Sequence, residues 1–360
     1  MPAAWFQCLL VLVAYCCVRS SCVVSIFSTF IRVSSPVTTA LEVLRNTQAD
    51  LNVAQRQMSS GLRVQTAKDN ATYWTISTLT RTDIGAVSAV QDALGLAAAT
   101  VSTASTGINS AIDIVTQIRS KLVTAYEGSV DKTKLNDEIS ELKDQLRSVG
   151  ESTSFNGVNW VMLQDGEDPT EPHEIPGSLI RHNDGTVSIG MLNYEGVSST
   201  SGPIVSTDAR YLIDDQSSGT GGYGVLTSTA FATEAGAAKN YVLISSKNGD
   251  TSGQVEISLD ANTTQGGVTD MINTVTAMLH QLNTIGSAFG SLETRVSLQN
   301  QFASNLSDSL TSGVGKLVDA DMEKQSSRVL ALQTQEQLGL QSLSIANASY
   351  DTVRQLFQNL

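Results

Sequence analysis

His173-Glu174 is the one place in this chain where a zinc hydrolase motif could begin. That chemistry needs His-Glu-x-x-His on a helix, with two imidazoles one turn apart to hold the metal and the glutamate as base. Here residue 177 is Gly, Pro176 would break the helix, and the next histidine is His182, so the second ligand is missing. The stretch SGVGKLV lacks the leading glycine of a phosphate-cradling loop, which leaves Gly313 and Gly315 as joint residues. The acidic run QDGEDPTEPHE has enough carboxylates to hold calcium weakly, but not in the ligand order of an EF-hand, and reads as a solvated loop. No catalytic, cofactor-binding or metal site is expected, and no cofactor.

Composition points the same way. Hydrophobic residues make up 41% of the 360 positions, but aromatics only 5%, which favours long helices with thin cores over a deep aromatic pocket. The formal charge of -13 argues against nucleic acid or an anionic membrane surface as partner. All four cysteines (Cys8, Cys16, Cys17, Cys22) lie near the start, so the rest of the chain has neither disulfide nor thiolate metal site. Residues 1–27 form an atypical extension, signal-like or a misassigned start. Their apolar run has no basic residue ahead of it and is marginal in length for a membrane span. No membrane is expected for the mature form.

The elements are read from periodicity. From Val37 a stripe of Val37, Leu41, Leu44, Gln48, Leu51, Gln55, Met58 and Leu62 marks a first helix with two polar interruptions, assigned to 28–58. The stretch 59–74, SSGLRVQTAKDNATYW, breaks it. In 75–163 the stripe Val87, Val90, Leu94, Ala97, Val101, Ala104, Ile108, Ala111, Val115, Ile118, Leu122 keeps a 3.5-residue repeat over about 50 Å, which makes the helix a rod. Leu135, Ile139, Leu142, Leu146 and Val149 give a shorter helix folding back on it, and Asn156-Gly157 signals a hairpin. Residues 164–266 are rich in Gly, Ser, Thr and Asp, with alternating stretches TVSIGMLNY and QVEISLD that read as strands of a surface-exposed domain. In 267–311 a second rod runs from Val268 through Val275, Leu282, Phe289 and Val296 to Leu310. After a break at TSGVGK, 312–360 closes with a helix whose stripe is Leu343, Ala346, Tyr350, Val353, Phe357, Leu360.

The order helix, break, rod, β region, rod, break, helix is nearly a palindrome. The predicted fold is mainly α with an inserted β-rich region: long antiparallel helical rods, terminal helices pairing as a coiled coil, and a small variable outer domain. The two breaks are matched joints between helical layers. A pair of helices alone makes a small core, and Leu338, Leu340 and Ile345 fall off the last stripe. Such surplus apolar surface points to assembly, and a heterologous contact repeated by rotation gives a helical filament.

These residues carry a family resemblance. SSGLRVQTAKDNATYW resembles the N-terminal signature of bacterial flagellins, and QDALGLAAATVSTASTGINSAIDIVTQIRSKLV, SFNGVNWV and LVDADMEKQSSRVLALQTQEQLGLQSLSIANASYDTVRQLFQ are similar to those of α-proteobacteria in particular. The resemblance covers about Thr38–Met162 and Gly267–Leu360; the middle resembles no named family. It implies a secreted subunit that polymerises with itself, and with other flagellins, into the extracellular flagellar filament for swimming motility. It also implies export through the flagellar export apparatus with a chaperone, contact with hook-associated and cap proteins, and no enzymatic role. The expected assembly interface is Leu41, Leu44, Leu51 and Met58 against Leu343, Ala346, Tyr350, Val353 and Phe357. Gly61, Arg63, Lys68 and Asp69 belong to the spoke between layers. A hook–filament junction protein is the alternative; a filament subunit with an enzymatic outer domain would need convergent ligands in 164–266. Against the family pattern the mature start falls near Ser28, and an alternative start codon at Val23 or Val24 is expected, since no methionine lies between Met1 and Met58.

Overall fold

A computed structural model describes residues 37–128, 130–169, 171–194, 209–216, 222–245 and 253–358, without the side chains of residues 350, 353, 354, 356 and 357. The readings of residues 1–27 and of the Ser28 start lie outside these residues. The chain divides into two units, a terminal one of Met1–Arg81 with Thr311–Leu360 and a central one of Thr82–Leu310.

The described helices are α1 (37–60), α2 (Ala71–Ala125), α3 (Lys132–Ser152), the short α4 (Ala230–Glu234), α5 (Gln265–Val318) and α6 (Met322–Gln358). Within the central unit the predicted stripes are the buried ones. Val87, Val90, Leu94, Val101, Ala104, Ile108, Ala111, Val115, Ile118 and Leu122 of α2 are buried, as are Val268, Met271, Val275, Met278, Leu282, Ile285, Phe289, Leu292 and Val296 of α5. Ile108 lies beside Gly286, while Val87 and Val90 share a small cavity with Phe302 and Ala303. The two helices therefore run antiparallel.

Helix α3 starts on Asp131, whose carboxylate accepts from the Thr133 N–H at 3.1 Å, the usual way an orphan donor of a first turn is satisfied. It returns along α2: Lys121 pairs with Glu138, and Gly107 faces Thr153. A Cβ at Gly107 would stand 2.4 Å from Thr153 Oγ1, so this approach requires glycine. Beyond α3, Asn156 (φ 51°) and Gly157 (φ 82°) form the tight turn their dipeptide predicts. Phe155 and Val158 exchange both backbone bonds around it, at 2.9 and 3.0 Å.

The middle segment, read as a variable outer domain, falls within the central unit. Among the described residues it holds β1 (Met162–Leu163) paired with β4 (Ile213–Asp214), the antiparallel hairpin β2 (His173–Arg181) with β3 (Val187–Tyr194), and β5 (Asn240–Val242) with β6 (Gln254–Glu256). Of the two stretches read as strands, residues 187–194 form one, whereas in QVEISLD only Gln254–Glu256 does. Two-stranded sheets are not stable alone. These lean on the helices: Ile175, Tyr194, Leu212, Ile213, Phe231, Leu243 and Ile257 join the same buried cluster as α2, α3 and α5. Lys143, buried on α3, bonds the Glu256 carboxylate at 2.8 Å and the Ile257 carbonyl. Burial alone would raise the Glu256 carboxyl; the Lys143 ammonium and the Ser245 hydroxyl outweigh it and bring it below the usual range. Arg181 of the hairpin pairs with Asp83 of α2.

The expected break at Thr311–Lys316 is not where the chain leaves helix. Helix α5 continues to Val318, and the interruption falls at residues 319–321. A helical glycine costs about 1 kcal/mol, but burial of Val314 and Val318 over the same turns offsets Gly313 and Gly315. Gly315 also leaves room that the α5 end uses, since a Cβ there would meet the Asp319 carboxylate at 2.7 Å.

Candidate functional site

The expected site residues gather in the terminal unit, on α1, α6 and the segment 61–70. On α1 the buried face is Leu44, Thr47, Leu51 and Ala54. The stripe predicted through Gln48 and Gln55 is thus one residue out at alternate positions. The helix buries the smaller neighbour and keeps each glutamine amide toward solvent. Thr47 tolerates burial because its hydroxyl donates to the Val43 carbonyl at 2.9 Å. Leu41 is half-buried, and Met58, expected in the interface, is 41% exposed.

On α6 the inward face begins much earlier than predicted. Gln325, Val329 and Leu332 are buried, and Glu336, Gly339, Leu343 and Ala346 are half-buried, a continuous 4-3-4-3 repeat. Leu343 and Ala346 therefore lie on this inward face. The side chains of Tyr350, Val353 and Phe357 lie outside the described residues. Sequence reasoning missed Val329 and Leu332 because Gln325, Glu336 and Gly339 interrupt the apolar count.

Helices α1 and α6 meet antiparallel. Gln57 accepts from Gln325 Nε2 at 3.0 Å, Leu51 and Ala54 cluster with Val329 and Leu332, and Gln48 donates to Glu336 at 3.2 Å. Leu44 Cδ1 lies 3.3 Å from where a Cβ on Gly339 would be. As numbers rise along one helix they fall along the other, in constant register. That register sets Leu51 against Val329 and Leu332 rather than against the Leu343–Phe357 stretch expected.

The break after α1 is a built corner. Gly61 adopts φ +70°, the left-handed conformation that only glycine takes without cost. Its carbonyl accepts from the Ala320 N–H at 2.8 Å, and Leu62 bridges Asp319. Arg63 binds the end of α5 twice, by its backbone N–H to the Val318 carbonyl at 2.7 Å and by its guanidinium to the Leu317 carbonyl at 2.7 Å. The same guanidinium sits over the Tyr73 ring at 5.6 Å. Asp69 gathers the Gln65 and Thr66 N–H groups and the Thr66 hydroxyl on one oxygen. The Thr66 backbone bond, then its hydroxyl and the Gln65 N–H, hold this carboxyl below its usual range. Asn70 caps α2 by accepting from the Tyr73 N–H at 3.0 Å. Lys68 is exposed. Asp321 caps α6 across the gap, accepting from Glu323 and Lys324.

Outside the paired face, α6 carries Leu330, Leu338, Leu340 and Ile345, each more than half exposed, and α1 carries Val43. This arrangement presents apolar side chains on a helix whose partner, among the described residues, covers only the opposite stripe. The pair that suggested zinc chemistry lies in strand β2. Successive strand residues point to opposite faces, and His173 is stacked on Trp160 with ring centroids 4.7 Å apart.

Comparison with known proteins agrees with this reading of the termini. The model of the bacterial flagellin N-terminal helical region matches residues 33–164, and that of the C-terminal helical region matches residues 272–357. Flagellin C of Rhizobium meliloti (strain 1021) is 41% identical over 321 residues, covering 89% of this chain and 96% of that protein. Flagellin D of Rhizobium meliloti is 36% identical over 386 residues, covering 89% and 97%. A flagellin of Brucella melitensis biotype 1 is 34% identical over 326 residues, covering 90% and 98%. Helical termini with capped corners, an unclosed apolar surface and this similarity over nearly the whole length place the chain in the bacterial flagellin family, as a structural subunit of the flagellar filament.

Proposed function

We propose that this subunit polymerises through α1 and α6, which pair as an antiparallel coiled coil and offer their remaining apolar side chains to neighbouring copies. The observation that carries this reading is the exposure of Leu338 and Ile345, 62% and 65% in the single chain. They sit one heptad apart and so share a face of α6. Apolar surface of this kind is stabilised only when another molecule covers it. The reading includes passage of the unfolded chain through the flagellar export apparatus, a chaperone on the C-terminal helix, and hook-associated and cap proteins at the filament ends. The filament then lies outside the cell, and the middle segment has a structural rather than enzymatic role.

Leu44→Asp tests the pairing half of the proposal. A carboxylate at this buried position against Gly339 is expected to loosen α1 from α6 while leaving the central unit helical by circular dichroism. It should also abolish elongation of short filament seeds in negative-stain microscopy. Normal filaments from this variant would count against the proposal.

A further inference from the structure

In the central unit five rings from separate parts of the chain form one assembly. His173 of β2 is stacked on Trp160 at 4.7 Å and on Tyr194 of β3 at 6.3 Å, with interplanar angles of 8° and 9°. Tyr194 stacks in turn on Phe289 of α5 at 4.8 Å, and Tyr211 meets His173 edge-on at 6.3 Å. The stack joins the His173–Tyr194 end of hairpin β2–β3 to α5, while Ser178 and Leu179 meet α5 again at Phe302 and Ala303. Yet His173 Nε2 and the Tyr194 hydroxyl are both buried without a hydrogen-bond partner. A proton placed on that buried Nε2 has no acceptor to bond.

We infer that His173 makes the seating of hairpin β2–β3 on α5 dependent on pH: the neutral imidazole completes the ring stack, and its protonation in mildly acidic solution releases the hairpin from the helix.

The groups facing His173 support this. Tyr194 and Tyr211 are pushed up to about 12 by burial, so both stay neutral phenols and supply no negative charge. Arg210 acts on the Tyr194 side and adds positive charge there. Glu167 and Glu171 on the preceding loop favour the imidazolium, but burial outweighs them and holds His173 below the usual histidine range. Glu167 also accepts from the Gln164 N–H at 2.9 Å. An imidazolium stacked on the Trp160 face recovers part of the cost of its own burial. For a histidine whose folded value is depressed, the stabilisation is complete above the unfolded value near 6.5 and is lost as pH falls below it.

The test uses the full chain with Trp5→Phe and Trp74→Phe, leaving Trp160 as sole indole reporter. Urea unfolding followed by Trp160 emission is measured at pH 7.5 and pH 5, with His173→Phe alongside. The expected result is a lower midpoint at pH 5, largely removed by His173→Phe, which keeps a flat ring in the stack. Proton NMR of the unsubstituted chain gives a second reading that needs no stable variant, because the ring protons of His173 give their own resonances. A resonance for His173 that titrates below the ordinary value, together with broadening of hairpin signals over the same interval, supports the inference. Titration at or above the ordinary value, or an equal fall in midpoint with and without His173, overturns it.

Discussion

Replacing Phe289 by alanine is expected to destabilise the central unit by about 3–5 kcal/mol, the range for removing a buried aromatic ring. Phe289 is fully buried on the inward stripe of α5, and it receives Tyr194 in stacked contact at 4.8 Å. Its loss removes apolar burial, opens a cavity beneath the hairpin and leaves Tyr194 without a neighbour on that face. The long helices cannot close such a void by sliding, because close approaches such as Gly286 of α5 against Ile108 of α2 fix them laterally. In the Trp5→Phe, Trp74→Phe background, urea unfolding followed by Trp160 emission reads the effect directly, since Trp160 belongs to the same ring stack. A change below about 1 kcal/mol would mean that this stack does not hold the middle segment.

The second large effect concerns assembly and leaves the monomer intact. Leu338→Asp combined with Ile345→Asp changes two side chains that are mostly solvent-exposed in the single chain. The helical content and thermal unfolding of the free subunit are therefore expected to stay close to those of the parent. Between subunits the outcome differs. Fully burying one Leu or Ile contributes roughly 1.5–3 kcal/mol. Two of them account for roughly 3–6 kcal/mol per subunit added. With a charge in their place, the concentration needed for filament growth should rise by at least about 100-fold, as some 3 kcal/mol implies. Sedimentation of seeded reactions over a concentration series measures this. An unchanged critical concentration would remove these residues from the interface. The pair of outcomes also separates faces, since Leu44→Asp disturbs the helix pairing whereas this double variant does not touch it.

Much of the helical framework was legible because it repeats. A side chain every 3.5 residues over many turns leaves one arrangement for α2 and α5, and Val87 to Leu122 and Val268 to Val296 are buried as that repeat requires. The Asn156-Gly157 turn was legible for a different reason, since few dipeptides accept two positive φ values. The terminal helices were harder. Their faces include Thr47, Gln325, Glu336 and Gly339, whose burial depends on what lies opposite: a helix carbonyl for Thr47, the Gln57 amide for Gln325, and the close approach of Leu44 for Gly339. No apolar count can see those partners. Gly313 and Gly315 misled in the opposite direction, because glycine weakens a helix by an amount that two buried valines can offset. The middle segment was legible as a change of composition and as strand β3. Its dependence on the helices was not, since contacts such as Lys143 with Glu256 join residues far apart in sequence.

Under the proposal this chain is a subunit that propagates a filament of its own kind. The most direct measurement is negative-stain electron microscopy of the purified chain after addition of short filament seeds, with the segment from Ser28 to Leu360 tested beside the full sequence. Long filaments growing from seed ends are the predicted result. Seeds that stay short with both proteins, under conditions where each is folded, would contradict the claim and favour a junction protein that joins filaments without extending them.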